Sequence, residues 1–100
     1  MHFFALEHFA THLNETFSVA LDNAGQAPFV LVEARPLQHM GAPIPGMVRA
    51  PFSLLFRNDS AILLPQKIYQ MTHGSIGEFG IFLVPIARDR EGFIYQAVFN

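Results

Sequence analysis

The spacing of apolar residues changes once along this chain, from near 3.6 residues before position 14 to 2 after position 16. That change leaves room for one leading helix and a body of strands. Over 4–14, Leu6, Phe9, Ala10 and Leu13 recur at helical spacing, while Glu7, His8, Thr11, His12 and Glu15 take the other side. A helix of about three turns is too short to persist alone, so it must pack on something. Over 16–21, Phe17, Val19 and Leu21 alternate with Thr16, Ser18 and Ala20, and the turn cluster Asp22-Asn23-Ala24-Gly25 ends that strand.

Alternation predicts five more strands, over 29–37, 52–57, 67–72, 78–86 and 93–99. Pro36 closes the first of these, because proline has no amide to give to a ladder. The segment 38–50 is punctuated by Gly41, Pro43, Pro45 and Gly46 and reads as a long loop carrying Met40, Ile44, Met47 and Val48. Methionine adapts to a partner surface, so this loop is either a binding loop or a lid folded over one end of the sheet. In the last two strands Phe79, Ile81 and Leu83 oppose Phe82, Val84 and Ile86, and Phe93, Tyr95, Ala97 and Phe99 oppose Ile94, Gln96 and Val98. Strands apolar on both faces need a cover on each: a second layer, the helix, or another chain. Arg88-Asp89-Arg90-Glu91-Gly92 joins the two as a short hairpin with a charged tip. Pro85 marks a bulge or an edge position, and the chain ends inside its last strand, which places Val98 and Phe99 at a candidate sheet edge. The expected architecture is mainly β: about six mostly antiparallel strands in a sandwich or partly open barrel, with one short N-terminal helix.

At 100 residues the chain holds a single domain, 1–100. Half of it is apolar (51%) and only 14% is charged, against about 25% in an ordinary soluble domain, which excludes disorder. Six basic residues and a net charge of -2 argue against a nucleic-acid partner, since phosphate contacts need clustered Lys and Arg. The absence of cysteine removes disulfides, thiolate metal sites and thiol nucleophiles. The opening Met-His-Phe-Phe-Ala-Leu-Glu lacks a basic region before its apolar run, and the uncharged stretch 36–48 is broken by prolines and glycines. Neither a signal peptide nor a membrane span is expected, and the expected location is the cytoplasm.

Motifs for chemistry are sparse. His8 and His12 stand four apart on the polar helix face with Glu15 three beyond, a spacing at which two imidazoles converge on one metal ion. A solvated helix face accounts for the same pattern, and no acidic residue lies between the histidines as a metalloprotease requires, so no metal or other cofactor is expected. His39, His73, Arg35, Glu33 and Glu78 could line a pocket with a histidine as acid or base, but no spacing ties them together. Ser53 sits in an alternating strand without the glycines of a nucleophile elbow and reads as an outward hydroxyl. Gly74-Ser75-Ile76-Gly77 leads into a strand, not a helix, and reads as a hairpin turn rather than a phosphate cradle. Phe52 and Phe56 beside Arg57 read as core residues rather than a base-stacking platform. No catalytic residue is assigned, and the chain is expected not to be an enzyme.

Several stretches nevertheless carry a resemblance: Pro-Phe-Ser-Leu-Leu-Phe-Arg at 51–57, Leu-Leu-Pro-Gln-Lys-Ile-Tyr at 63–69, Gly-Glu-Phe-Gly-Ile-Phe-Leu-Val-Pro-Ile at 77–86 and Tyr-Gln-Ala-Val-Phe-Asn at 95–100. Leu-Glu-His-Phe at 6–9 and Phe-Val-Leu-Val-Glu-Ala at 29–34 join them. Together they resemble a bacterial domain-of-unknown-function family of stand-alone proteins of about this length, whose genes often neighbour phage-tail-collar-like (microcystin-dependent-protein) genes. The resemblance implies an accessory role in a tail-like or fibre-like assembly and brings no catalytic residues with it.

The expected function is a non-enzymatic assembly or protein-interaction module that engages a protein partner or a second copy. Met40, Ile44, Met47, Pro85, Val98 and Phe99 are its candidate contact residues. The alternative is a small β-barrel that binds an apolar ligand among its eleven phenylalanines. A third reading, a metal-assisted hydrolase on His8, His12 and Glu15, predicts stoichiometric zinc.

Overall fold

The structure, a computed structural model, describes residues 5–22, 25–37, 51–60 and 62–99. One helix, α1 (Leu6–Ala10), precedes six strands: β1 (Thr16–Ala20), β2 (Gln26–Pro36), β3 (Phe52–Asn58), β4 (Lys67–His73), β5 (Gly77–Asp89) and β6 (Gly92–Phe99). The strands form a closed barrel in the order β1-β2-β3-β6-β5-β4, and every neighbouring pair is antiparallel. The mainly β architecture expected from alternation is therefore present, and closure decides between sandwich and barrel. Among the described residues no helix is long and apolar enough to cross a membrane.

The helix is shorter than the expected 4–14, and hydrogen bonding explains why. Ala5 offers no side-chain cap, and the Nδ1 of His8 accepts the Ala5 amide instead, at 2.7 Å. Beyond Ala10 the chain tightens into turns closed by His12 N–H to Phe9 O and Glu15 N–H to His12 O. Asn14 then takes a positive φ of 68°. Its amide donates to the Leu31 carbonyl at 2.7 Å, and the Leu31 amide donates to Glu15 at 3.1 Å. Bonds across to β2 replace bonds along a helix, so apolar spacing continues where the helix does not.

Two long strands bend and change partners. Residues 26–30 of β2 pair with β1 and residues 30–36 pair with β3, with a register shift between Leu31 and Glu33. Residues 77–83 of β5 pair with β4 and residues 84–89 pair with β6, with a shift between Pro85 and Ala87. Bulges turn a strand sharply and let one strand serve two sheets. Pro85 stands at such a bulge, one of the two positions its missing amide allowed. Pro28 lies where β2 has β1 alone beside it, which is why β2 begins at Gln26 and runs through a proline that an interior strand would reject. The result is two meanders, β1-β2-β3 and β4-β5-β6, each with a bent middle strand, joined by β1 against β4 and β3 against β6.

The expected sheet edge at the end of the chain is mostly absent. β6 lies between β3 and β5, with pairing to β3 running through Phe99 and pairing to β5 ending at Gln96. Phe99 faces inward, stacked on Phe52, and only Val98 of the terminal pair points to solvent.

Inside, Phe17, Val19, Phe29, Leu31, Phe52, Leu54, Phe56, Met71, Leu83 and Tyr95 are fully buried. Phe9 enters the barrel mouth, with ring centroids 6.4, 6.0, 5.8 and 5.5 Å from Phe17, Phe52, Phe79 and Phe99, within the range of favourable aromatic pairs. That contact supplies the packing a five-residue helix requires. The Tyr95 hydroxyl accepts the Leu64 amide at 3.0 Å, pinning the connection between β3 and β4 over the barrel.

Candidate functional site

Burial along the strands first separates what is structural from what is available. Over residues 68–73 of β4 and 78–83 of β5, exposed and buried residues alternate, so Tyr69, Met71, Phe79, Ile81 and Leu83 are committed to the core. The outward set is also apolar. Ile68 and Phe82 are register partners across β4 and β5, and they are 69% and 50% exposed. Gly80 lies under Ile68, where an added Cβ would meet Ile68 Cγ2 at 3.6 Å. Val98 of β6 and Ile86 of β5 are each 48% exposed. The β5–β6 ladder ends at Val84↔Gln96, so Val98 stands beyond it on the outer side of β6. Apolar residues thus lie on both sides of these strands, as the two-faced alternation indicated.

Of the sequence-proposed contact residues, Val98 is exposed on β6, Pro85 is half-buried at the bulge, and Phe99 belongs to the barrel mouth. Met40, Ile44 and Met47 lie outside the described residues. Ile68, Phe82 and Ile86, exposed in β4 and β5, were not among the sequence candidates, although the two-faced alternation of 78–86 had set Phe82 and Ile86 on one side.

A second constellation lies at the base of α1. Glu15 Oε1 meets His12 Nδ1 at 2.9 Å and His73 Nε2 at 2.7 Å. The His12 and His73 rings lie 4.4 Å apart, and His73 also packs on Phe17 at 4.5 Å. The two imidazoles, His73 first, hold the Glu15 carboxyl below the usual glutamate value of 4.5. Sequence spacing had joined His12 and Glu15 to His8, but His8 is turned to the Ala5 amide. The third member is His73, 58 residues beyond Glu15, and no local pattern announces that contact.

Among the described residues, His12, Glu15 and His73 form the group whose ligand atoms all lie within 4.8 Å of one another. The hydrogen bonds around them do not suit a metal. Ser75 N–H donates to His73 Nδ1 at 3.0 Å, so the proton of a neutral His73 sits on Nε2 and points at Glu15. A metal at Nε2 would need that proton on Nδ1, facing the Ser75 amide. Histidine ligands instead donate from their second nitrogen to an acceptor. The arrangement is a carboxylate held by two imidazole donors.

The remaining sequence candidates disperse. Glu33 and Arg35 pair with each other at 2.7 Å on the surface, and Glu78 is exposed opposite Thr72. His39 lies outside the described residues. Ser53 alternates with the inward Phe52 and Leu54 and so takes the outer side of β3, yet it is buried at 4%, not exposed. Gly74-Ser75-Ile76 forms the β4–β5 turn as expected. Phe52 and Phe56 are core residues, while Arg57 binds Asp89 at 2.9 Å and Glu91 at 3.2 Å beside an open groove of about 460 Å³.

Over residues 4–99 the chain matches the family described as Domain of unknown function (DUF6916). No curated protein and no solved structure gives a match.

Proposed function

We propose that this chain, which belongs to the DUF6916 family, is a non-enzymatic assembly module that engages protein through the outer apolar face of β4, β5 and β6. The observation that carries the reading is the Ile68–Phe82 pair, opposite one another across β4 and β5 and each at least half exposed. Covering apolar surface contributes about 25 cal/mol per Å², and contiguous exposed apolar patches mark contact sites. Because the strands close on themselves for most of their length, the partner is met by side-chain packing rather than by strand addition. Within this reading the module is accessory to a tail-like or fibre-like bacterial assembly, as the resemblance implies.

The non-enzymatic part rests on the polar groups. His73 has both nitrogens engaged and His12 has Nδ1 engaged, so among the described residues this pair is held by Glu15 rather than turned to a nucleophile. The alternative of an apolar-ligand barrel draws less support, because Phe17, Phe29, Phe52 and Phe56 pack on neighbouring rings.

Light scattering of tag-free protein over a dilution series tests the reading. The expected result is a defined oligomer that Phe82→Glu converts to monomer while circular dichroism stays unchanged. A dilution-stable monomer that co-purifies with nothing, and is indifferent to Phe82→Glu, overturns it.

A further inference from the structure

We propose that His12, Glu15 and His73 form an acid-released latch that keeps the α1 segment, and with it Phe9, seated in the barrel mouth. His12 and Glu15 lie on the stretch between α1 and β1, whereas His73 ends β4 and is 9% exposed. One carboxylate oxygen therefore ties the segment carrying Phe9 to the far meander. Phe9 is the only apolar side chain of α1 that is fully buried among the described residues, and its neighbours are the rings around the mouth. Holding residues 12–15 in place holds Phe9 in place.

The surroundings of His73 fix the direction of the response. From the α1–β1 stretch it meets Glu15 and His12, from β1 the ring of Phe17, and from the β4–β5 turn the Ser75 amide. Glu78, opposite Thr72, takes the other side of the sheet. With Glu15 ionised, His12 Nδ1–H and His73 Nε2–H both have an acceptor. A proton on Glu15 removes the negative charge that both imidazole N–H groups meet, and so weakens both bonds. Because the folded-state value of Glu15 is depressed, its contribution is complete above the ordinary 4.5 and is lost as pH falls below it.

Amide hydrogen exchange, corrected for intrinsic rates, tests the latch on the full chain. Between neutral pH and about pH 3.5, protection over residues 6–14 is expected to fall roughly tenfold relative to β3 and β6, a local opening rather than global unfolding. Glu15→Gln should show the weakened protection already at neutral pH and little further loss in acid. Independently of any variant, long-range ¹H–¹⁵N spectra at neutral pH should find the His73 proton on Nε2 with Nδ1 bare. A pH-independent protection ratio, a Glu15→Gln variant that responds as the native chain does, or a His73 proton on Nδ1 overturns the latch. So does stoichiometric zinc binding that Glu15→Gln abolishes, which would make the cluster a metal site.

Discussion

Phe52 and Phe99 lie face to face, with ring centroids 4.7 Å apart and planes within 6° of parallel, at the last register pair of the β3–β6 ladder. Phe9 packs on both. Three of the rings at the barrel mouth are thus drawn from the helix, the third strand and the final strand, and they are stable jointly.

Phe9→Ala should therefore destabilise the barrel by about 3–5 kcal/mol, the usual effect of emptying a buried phenylalanine site. Combined with Phe99→Ala, the two losses should fall short of additivity by about 0.5–1.5 kcal/mol, the coupling of an aromatic pair. Urea unfolding of the two single variants and the double variant measures both quantities. Full additivity would mean that Phe9 does not sit against Phe99.

Gly92 and Gly77 separate crowding from backbone strain. Both have positive φ, 138° and 96°. A Cβ at Gly92 would overlap the Asn58 carbonyl and lie 2.7 Å from Asp59 Cα, whereas Gly77 has nothing within 4 Å. Gly77→Ala should cost about 1 kcal/mol from conformation alone. Gly92→Ala should cost about 3 kcal/mol or more, because main chain has to move. Equal melting temperatures for the two variants would contradict this account.

Asn58 is 2% exposed and links three parts of the chain: its Nδ2 donates to Pro28 O at 2.9 Å and its Oδ1 accepts the Ser60 amide at 3.0 Å. Asn58→Leu keeps the branched shape and leaves that carbonyl and amide unpaired, at about 1–3 kcal/mol for each group left dry. Denaturant titration reads the sum, and a neutral result would place water at both groups.

At the β5–β6 hairpin, the Glu91 amide and then Arg57 hold the Asp89 carboxyl below its usual 3.8. Its stabilisation of the tip is present above that value and fades as pH falls beneath it. The Glu91 amide proton should titrate with a midpoint below 3.8. In Arg57→Gln the midpoint should rise only part of the way, since the amide bond survives. A midpoint at the ordinary aspartate value in the native chain would show that the capping bond is not formed in solution.

The strands were legible because their inward residues recur at every second position, as Tyr69, Met71 and His73 do in β4. Strand ends were less so. β5 extends to Asp89 because its second half finds β6, and β2 starts early because one side of Pro28 needs no partner. The helix was overestimated because Leu13 continues the apolar rhythm while the next amide, that of Asn14, turns to Leu31. Phe99 was read as an edge contact for a related reason: alternation gives a face but not a neighbour, and its ring is turned inward onto Phe52 across a pairing far apart in sequence. The Glu15–His73 contact is of the same kind.

The two bent middle strands give both halves of the chain the same order of elements. Each meander is a strand, a long kinked strand and a strand, and the two meet as first against first and third against third, like hands clasped about a dyad. No residue repeat accompanies this internal symmetry. Each half alone would present two bare margins, and each margin has its complement only in the other half. A chain divided in the 59–66 connection would thus yield two pieces that recover their native ladders by finding one another, and co-expressed halves should purify together in equal amounts.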